Sequence, residues 1–580
     1  MTPASLVCES PRLDWSRPSG PQATDYGDVY FSAEDGLEET RAVFLAGCGL
    51  PEAWSSRSHF TIGELGFGTG LNALAVWEVW RRTRPAGGWL DFVSVEKHPL
   101  TREDAARAFN AWPELASLSA RMLAQWPSRL KGAHRMVFAE DGFAVTVFHD
   151  EAEAALAQMD IRADAWFLDG FAPDRNEAMW SQAVLDAVGR LSVPGARVGT
   201  FTVAGAVRRG LAAAGFDVSK QPGFGRKRER LEAVFPGTRS PAAKRPGRVA
   251  VVGAGIAGAS LVHALRARGC ETVLIDRGGP ASGASGAPSG LLTPRLERAD
   301  RPHVRATLAA FDFARRLYEG MDGYEAGGVV RLPKDEAEAT RFAGIAAMMD
   351  ESVVWQDGAL ILAAAGRFEP PRLVAGLIGD TPWIEADIDR IDVASPQGGL
   401  VLSDKAGRTV VTADVVVHAS GPGAAMVLAD ITPSAGQVAV FRGEPPARPV
   451  TWGGYACAAP GGVLVGATHV RGAEAGPSGP AIDAFRADMA EWLPQTGLGE
   501  VVRSWSGVRA STPDRLPVAG LAGPGQYVLS GLGSRGFAHA PLLAETVAAR
   551  IFGLAPALER DAIAAFDPGR FETRRRRRGV

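Results

Sequence analysis

In the stretch "DAWFLDGFAPDRNEAMW", Asp164 to Trp180, the apolar run Trp166-Phe167-Leu168 ends at a carboxylate, Asp169, and breaks into Gly170-Phe171-Ala172-Pro173. A short apolar run stopped by Gly and Pro reads as a buried strand leaving a sheet. An acid at such a strand mouth suits proton transfer. An alkylamine is protonated near neutral pH and has no lone pair for attack until a carboxylate takes its proton. Asp169 would also orient the nitrogen, with Phe171 and Pro173 forming a dry wall. The same acid equally suits a plain turn cap.

Upstream, "FTIGELGFGTGLNALAVWEVW" (Phe60 to Trp80) reads as a strand to Leu65, a loop from Gly66 to Gly70 and a helix from Leu71. Gly66, Gly68 and Gly70 let the backbone turn sharply and pass close to a ligand, although a tight turn with nothing bound uses the same residues. Three acids surround the loop. Glu64 precedes it as a candidate cofactor contact, Glu96 ends the strand "LDFVSVE" where it would accept ribose hydroxyls, and Asp141 in "HRMVFAEDGF" would meet an adenine edge. No GK[ST] follows, so this is not a phosphate cradle. An acidic, glycine-lined pocket repels phosphates and suits a positively charged ligand; S-adenosylmethionine carries a sulfonium and no phosphate. Asp169 would then face its reactive end.

A second glycine loop differs in kind. "RVAVVGAGIAGASLVHALRARGCETVLIDRG" (Arg248 to Gly278) holds Gly253-x-Gly255-x-x-Gly258 after an apolar strand, then a helix and a strand ending at Asp276. That is the full dinucleotide fingerprint, with pyrophosphate on the helix N-terminus and Asp276 on a ribose hydroxyl. Its surroundings favour FAD over NAD. "PASGASGAPSGLLTPRL", including Gly290, would wrap the pyrophosphate, and "YVLSGLGSRGFAHAPLLAE", including Gly533 and Gly536, would return near the chain end to cover the flavin. Between them Arg509, in "SWSGVRASTPDRLPVAG", offers a guanidinium fork for a substrate carboxylate. An ion pair with nearby Asp514 is the alternative.

The elements positioning these residues form two units. Across 580 residues a linker poor in apolar pattern, 237–247, separates a unit at 1–236 from one at 248–568, with a basic tail at 569–580. Net charge of −3 excludes a globally basic nucleic-acid binder. Four cysteines far apart argue against a disulfide framework or zinc site, and no metal is expected. The N-terminus lacks a basic segment followed by an apolar one, and no membrane span is evident, so a soluble cytoplasmic protein is expected. The terminal arginines read as a disordered or solvated block, or as a nucleic-acid contact.

Taken in order, "GDVYFS", "FTIGELGFGTGLN", "WFLDGFAPDRNEAMW", "GFGRKRE", "VAVVGAGIAGAS", "GASGAPSGLLTPRL", "GVRASTPDRLPVAG" and "LSGLGSRGFAHAPL" cover nearly the whole chain. This sequence resembles the bifunctional tRNA 5-methylaminomethyl-2-thiouridine biosynthesis family, MnmC. The resemblance implies an α/β protein: an N-terminal Rossmann-like methyltransferase, then an FAD-binding Rossmann domain with a mixed-sheet substrate subdomain of the D-amino-acid/glycine oxidase kind. It implies action on tRNA; a monomer is expected, with the oligomeric state left open by the sequence. The flavin half removes the carboxymethyl arm of a wobble uridine, and the other half methylates the exposed amine. It makes Asp169 the catalytic acid/base of methyl transfer, Arg509 the holder of the arm's carboxylate, and Gly66, Gly68, Gly70, Glu96 and Asp141 cofactor contacts. Candidate tRNA contacts are Arg226, Lys227, Arg228, Arg230, Lys244, Arg245 and the terminal arginines. The competing reading is a sarcosine- or glycine-oxidase-like flavoenzyme fused to a small-molecule amine methyltransferase.

Overall fold

The computed structural model describes residues 5–16, 20–31, 35–225, 228–239, 245–394, 399–472 and 476–578. Two compact units are present: Val7–Lys244 with Gly553–Asp561, and Met1–Leu6 with Arg245–Phe552 and Ala562–Val580. The sequence-based segmentation differs in several places, among them two near the chain end. Residues 553–561 group with the methyltransferase-like unit, where the Ala555 N–H reaches the Asp91 carboxylate at 3.2 Å and the Asp561 N–H reaches Gln158 at 3.1 Å. The basic tail is an ordered helix, Arg570–Arg578. Arg570 and Arg574 pair with Asp514, and Arg575 with Asp430 at 2.8 Å, so neighbouring acids neutralise the charge run and let it fold.

The first unit is built on an eight-stranded sheet. Its centre is five parallel strands in the order Phe143–His149, Trp89–Glu96, His59–Leu65, Ala163–Leu168 and Ser192–Thr200. Gly132–Phe138 joins one edge antiparallel, and the hairpin Asp217–Pro222/Glu229–Val234 joins the other. Ala163–Leu168 is buried at every residue and His59–Leu65 at all but its first, as parallel strands covered on both faces must be. One face packs Trp54, Trp77 and Trp80; the other packs Trp166, Leu185 and Val188.

In the second unit Trp383–Glu385, Glu271–Asp276, Arg248–Val252, Val415–His418 and Gln526–Ser530 form a parallel sheet with Val518–Gly523 antiparallel at its edge. A separate nine-stranded mixed sheet contains the long pair Thr432–Phe441 and Val501–Ser511. Helix Gly536–Phe552 packs on the dinucleotide helix Ile256–Ala267. A fully buried fork joins them, Arg268 donating to Glu545 at 3.1 and 2.7 Å.

Candidate functional site

The first site lies at the carboxyl ends of the parallel strands. Register pairs Leu65 with both Val95 and Leu168, so Gly66, Glu96 and Asp169 emerge side by side. The Asp169 N–H donates to Leu65 O at 3.1 Å, and the Gly66 and Phe67 N–H groups donate to Val95 O at 3.2 and 3.0 Å. Gly66 has φ +87°, and a Cβ there would stand 2.5 Å from Asp169 O, so only glycine lets the loop lie against the acid's strand. Glu96 accepts from the N–H groups of Gly68 and His98, both at 2.8 Å, and burial raises its carboxyl above the usual range. It therefore braces the loop that would carry the cofactor.

Asp169 is half-buried, and its Oδ2 accepts from the Asn72 side-chain amide at 2.6 Å. Phe171, two residues on, packs against Tyr26 and Tyr30 with ring centroids 4.9 and 5.3 Å away. The Ala172 N–H donates to Asp28 at 2.9 Å, so "DYGDVY" pins the loop after Asp169. Burial holds the Tyr30 hydroxyl well above its ordinary range.

Two expected contacts are corrected. Asp141 stands at the opposite end of the sheet, because Gly132–Phe138 runs antiparallel and its hairpin returns beside Leu90. There it accepts from Trp77 at 3.0 Å and pairs with Arg121 at 2.6 Å and Arg81 at 3.3 Å. Glu64 is 1% exposed and faces the interior, accepting from Asn72 at 2.9 Å and Ser94 at 2.6 Å. Burial pushes its carboxyl up to about 8, with the charge of Asp169 adding to the effect. Sequence reasoning missed Asn72 and Asp150. Asn72 is a buried polar residue in the first turn of the otherwise apolar Leu71–Trp77 stretch; that contrast was the available signal. Asp150 follows Phe143–His149, whose His149 pairs with Glu96 in register, putting an acid at the same edge. "FAVTVFHD" carried the same strand-then-acid pattern as "WFLD".

The second site assembles around Gly253–Gly258. A Cβ on Gly253 would meet Ala419 O at 2.4 Å, and one on Gly258 would meet Gly253 O at 1.7 Å. Those two glycines thus permit a tight turn into helix Ile256–Ala267, whose N-terminus is of the kind that favours an anion. Asp276 accepts from Ala254 N–H at 2.8 Å with one oxygen, and from Gly278 and Gly279 N–H with the other. Ser285 accepts from the Ile256 N–H at 3.0 Å, bringing "GASGA" onto the helix start. Gly290 lies under Phe368, which stacks on Phe537 at 4.4 Å, and Gly536 approaches Ile256. Gly533 has φ +58° with open space around it. The chain-end loop and the dinucleotide loop therefore meet.

Two further residues were not foreseen. His539 is 3% exposed with neither ring nitrogen hydrogen-bonded, and Arg535 Nε is buried without a partner. Burial pushes His539 down to about 3, and Arg535 down to about 10 with Arg331 and Arg295 nearby. Buried polar atoms left unsatisfied within the protein are available for hydrogen bonds to a bound group. Their signal was a charged Arg within the small-residue run "GLGSRGF".

Arg509, half-buried on the mixed sheet, donates to His469 Nδ1 at 2.9 Å. Burial and the Arg509 charge hold His469 below its ordinary range, so it stays neutral and can accept. A Cβ on cross-strand Gly436 would meet the guanidinium at 2.7 Å, so glycine makes its bed. Among the described residues no carboxylate pairs with Arg509, whereas Asp514 is taken by Arg570 and Arg574. The ion-pair alternative is thereby removed.

Of the basic stretches, Arg226, Lys227 and Lys244 lie outside the described residues. Arg230 pairs with Glu232 at 2.6 Å, and Arg245 sits over the Phe552 ring. Among the described residues, no group of three or more His, Cys, Asp or Glu is arranged to hold a metal, and no helix is long and apolar enough to cross a membrane.

Two family models match: an S-adenosyl-L-methionine-dependent methyltransferase over residues 113–236 and an FAD dependent oxidoreductase over residues 248–550. The tRNA 5-methylaminomethyl-2-thiouridine biosynthesis bifunctional protein MnmC of Maricaulis maris (strain MCS10) is 64% identical over 581 residues, 100% of this chain and 99% of that protein. This chain belongs to the MnmC family. The MnmC of Caulobacter sp. (strain K31) is 43% identical over 97% of this chain and 98% of its own. A solved structure of glycine oxidase from Geobacillus kaustophilus is 26% identical and covers 56% of this chain and 98% of its own, with TM-score 0.47. As an MnmC-family member the chain is an enzyme with an S-adenosylmethionine-dependent methyltransferase half and an FAD-dependent oxidoreductase half. The residues present fit both cofactors. The Gly253–Gly258 turn and the unsatisfied Arg535 and His539 suit a phosphate- and carbonyl-bearing flavin nucleotide. The acid-braced Gly66–Gly70 loop suits a cation without phosphate.

Proposed function

We propose that this chain completes the side chain of a tRNA wobble uridine in two steps: removal of the carboxymethyl arm from 5-carboxymethylaminomethyl-(2-thio)uridine, then N-methylation of the exposed amine. When bound, FAD takes a hydride from the arm and S-adenosylmethionine provides the methyl group. The arm is an N-substituted glycine. Loss of hydride from the carbon beside nitrogen leaves an imine on the substrate, and water then releases glyoxylate and a primary amine. Arg509, bedded on Gly436 and oriented by neutral His469, holds the arm's carboxylate through its guanidinium fork. Asp169 takes the proton of the primary amine so that its lone pair can attack, while Phe171, Tyr26 and Tyr30 keep water from the wall. Gly66, Gly68, Gly70 and Glu96 serve the methyl donor; Gly253, Gly255, Gly258, Asp276, Gly290, Gly533 and Gly536 serve the flavin. In this reading the protein works in the cytoplasm as a monomer without a resident metal. Contact with phosphates makes tRNA binding salt-dependent.

The observation that carries the proposal is that one chain, alike end to end to MnmC proteins, holds both a carboxylate-free Arg509 in its flavin half and a strand-mouth Asp169 in its methyltransferase half. The test is nucleoside analysis of tRNA from cells lacking this protein, where the carboxymethylaminomethyl form should accumulate. Turnover of free N-methylglycine in place of tRNA would instead establish the small-molecule reading.

A further inference from the structure

Asn72, in the first turn of helix Leu71–Thr83, is 6% exposed. Its amide nitrogen lies 2.6 Å from Asp169 Oδ2 and 2.9 Å from Glu64 Oε1. An amide nitrogen has two hydrogens, and each is directed at one acid. The amide oxygen accepts from the hydroxyl of Thr40 at 2.8 Å, and Thr40 is itself 3% exposed. Chemistry therefore decides the flip: turned over, the oxygen would confront two acids, and the nitrogen would displace the acceptor of the Thr40 hydroxyl. Glu64 is tied in turn to Ser94 at 2.6 Å, so the cluster runs across two strands and the helix start. Asp169 and Glu96 are the acids whose charge reaches Glu64.

We propose that Asn72 is a positioning residue of methyl transfer: locked by Thr40 and backed by Glu64, it donates to Asp169 Oδ2 and fixes the angle at which that carboxylate meets the substrate amine. This rests on the reading of Asp169 as the proton acceptor. The amide bond does two things for Asp169. It removes rotation of the carboxyl group, and it favours the charged, accepting form. A misplacement of about 1 Å at a reacting group costs on the order of 100-fold in rate.

The experiment uses the full-length enzyme and tRNA bearing the exposed primary amine. It measures kcat for methyl transfer, direct binding of S-adenosylmethionine, the pH–rate profile, and arm removal as an internal control. Four variants are compared: Thr40→Val, Thr40→Ser, Asn72→Ala and Asp169→Asn. Thr40→Val keeps the shape and removes only the hydroxyl donor, which covers the case in which Asn72→Ala fails to fold. The expected result is a fall in kcat of roughly 10- to 100-fold for Thr40→Val and Asn72→Ala. Cofactor binding and arm removal stay unchanged, the acid limb of the profile moves to higher pH, and Thr40→Ser restores the wild-type rate. Normal kcat and profile in Thr40→Val and Asn72→Ala, with Asp169→Asn inactive, overturn the positioning role and leave Asp169 standing. Weakened cofactor binding at unchanged kcat makes Asn72 a cofactor contact and also overturns it. A fully active Asp169→Asn removes the reading of Asp169, and this inference falls with it.

Discussion

Replacing Glu64 with Gln should stabilise the methyltransferase unit more as pH rises. Glu64 is 1% exposed, and burial lifts its carboxyl from an ordinary 4.5 to about 8. In the unfolded chain the same group releases its proton near its ordinary value. Between those values the folded chain holds a proton that the unfolded chain has lost. Stability therefore falls as pH rises from 4.5 towards about 8. At about 1.4 kcal/mol per pH unit, the wild type has lost roughly 4 kcal/mol by about pH 8. Gln has the same shape and no titration; its oxygen accepts from Asn72 and its amide faces Ser94 Oγ. The variant escapes the loss, so its advantage over wild type grows from about pH 5 to about pH 8. Scanning calorimetry of the full chain at both pH values reads this, using the transition that moves on adding S-adenosylmethionine to identify the unit. For a unit of this size, each kcal/mol moves Tm by about 2–4 °C. A difference in Tm between variant and wild type that is the same at both pH values, or that shrinks as pH rises, refutes the buried, proton-holding carboxyl.

Asp169→Asn keeps size and loses basicity; methyl transfer followed with labelled donor should fall by roughly 100- to 10,000-fold with arm removal intact. Arg509→Met removes two charge-assisted bonds of about 1.5–3 kcal/mol each, so arm removal should drop at least 100-fold while bound-flavin absorbance and methylation persist. Glu545→Leu removes the two charge-assisted bonds between Glu545 and buried Arg268, about 1.5–3 kcal/mol each, loosening helix Gly536–Phe552; flavin should be lost on gel filtration, and pairing it with Arg268→Met should recover most of it.

Local pattern made much of both sites legible. A strand ending in glycines is a short-range feature, so Gly66–Gly70 and Gly253–Gly258 read directly, with helix starts at Leu71 and Ile256. Asp169 read as an acid at a strand mouth because the apolar run and the Gly-Phe-Ala-Pro break are contiguous. Asp141 failed for the opposite reason: strand direction is a long-range property, and nothing within "HRMVFAEDGF" says that it pairs antiparallel with the next strand. Glu64 failed because period-two alternation cannot separate an acid facing a ligand from one facing the core. Arg509 and Asp514, five residues apart, suggested an ion pair. The fold instead brings Arg570 to the aspartate from the far end of the chain. The terminal arginines looked solvated because their acidic partners, Asp430 and Asp514, are distant in sequence.

Sequence alone carried the two glycine-loop folds, the cationic cofactor without phosphate and the flavin nucleotide, and raised as expectations an acid for an amine and a guanidinium for a carboxylate. Each follows from residue types within a few positions of one another, where backbone geometry allows few conformations. Packing settled which acids stand at the strand mouths and which are buried among other side chains. It also brought Asn72 to Thr40, Glu64 and Asp169, and left Arg509 without a carboxylate partner among the described residues. Those outcomes depend on strand direction, register and burial, which arise from packing across the whole sheet.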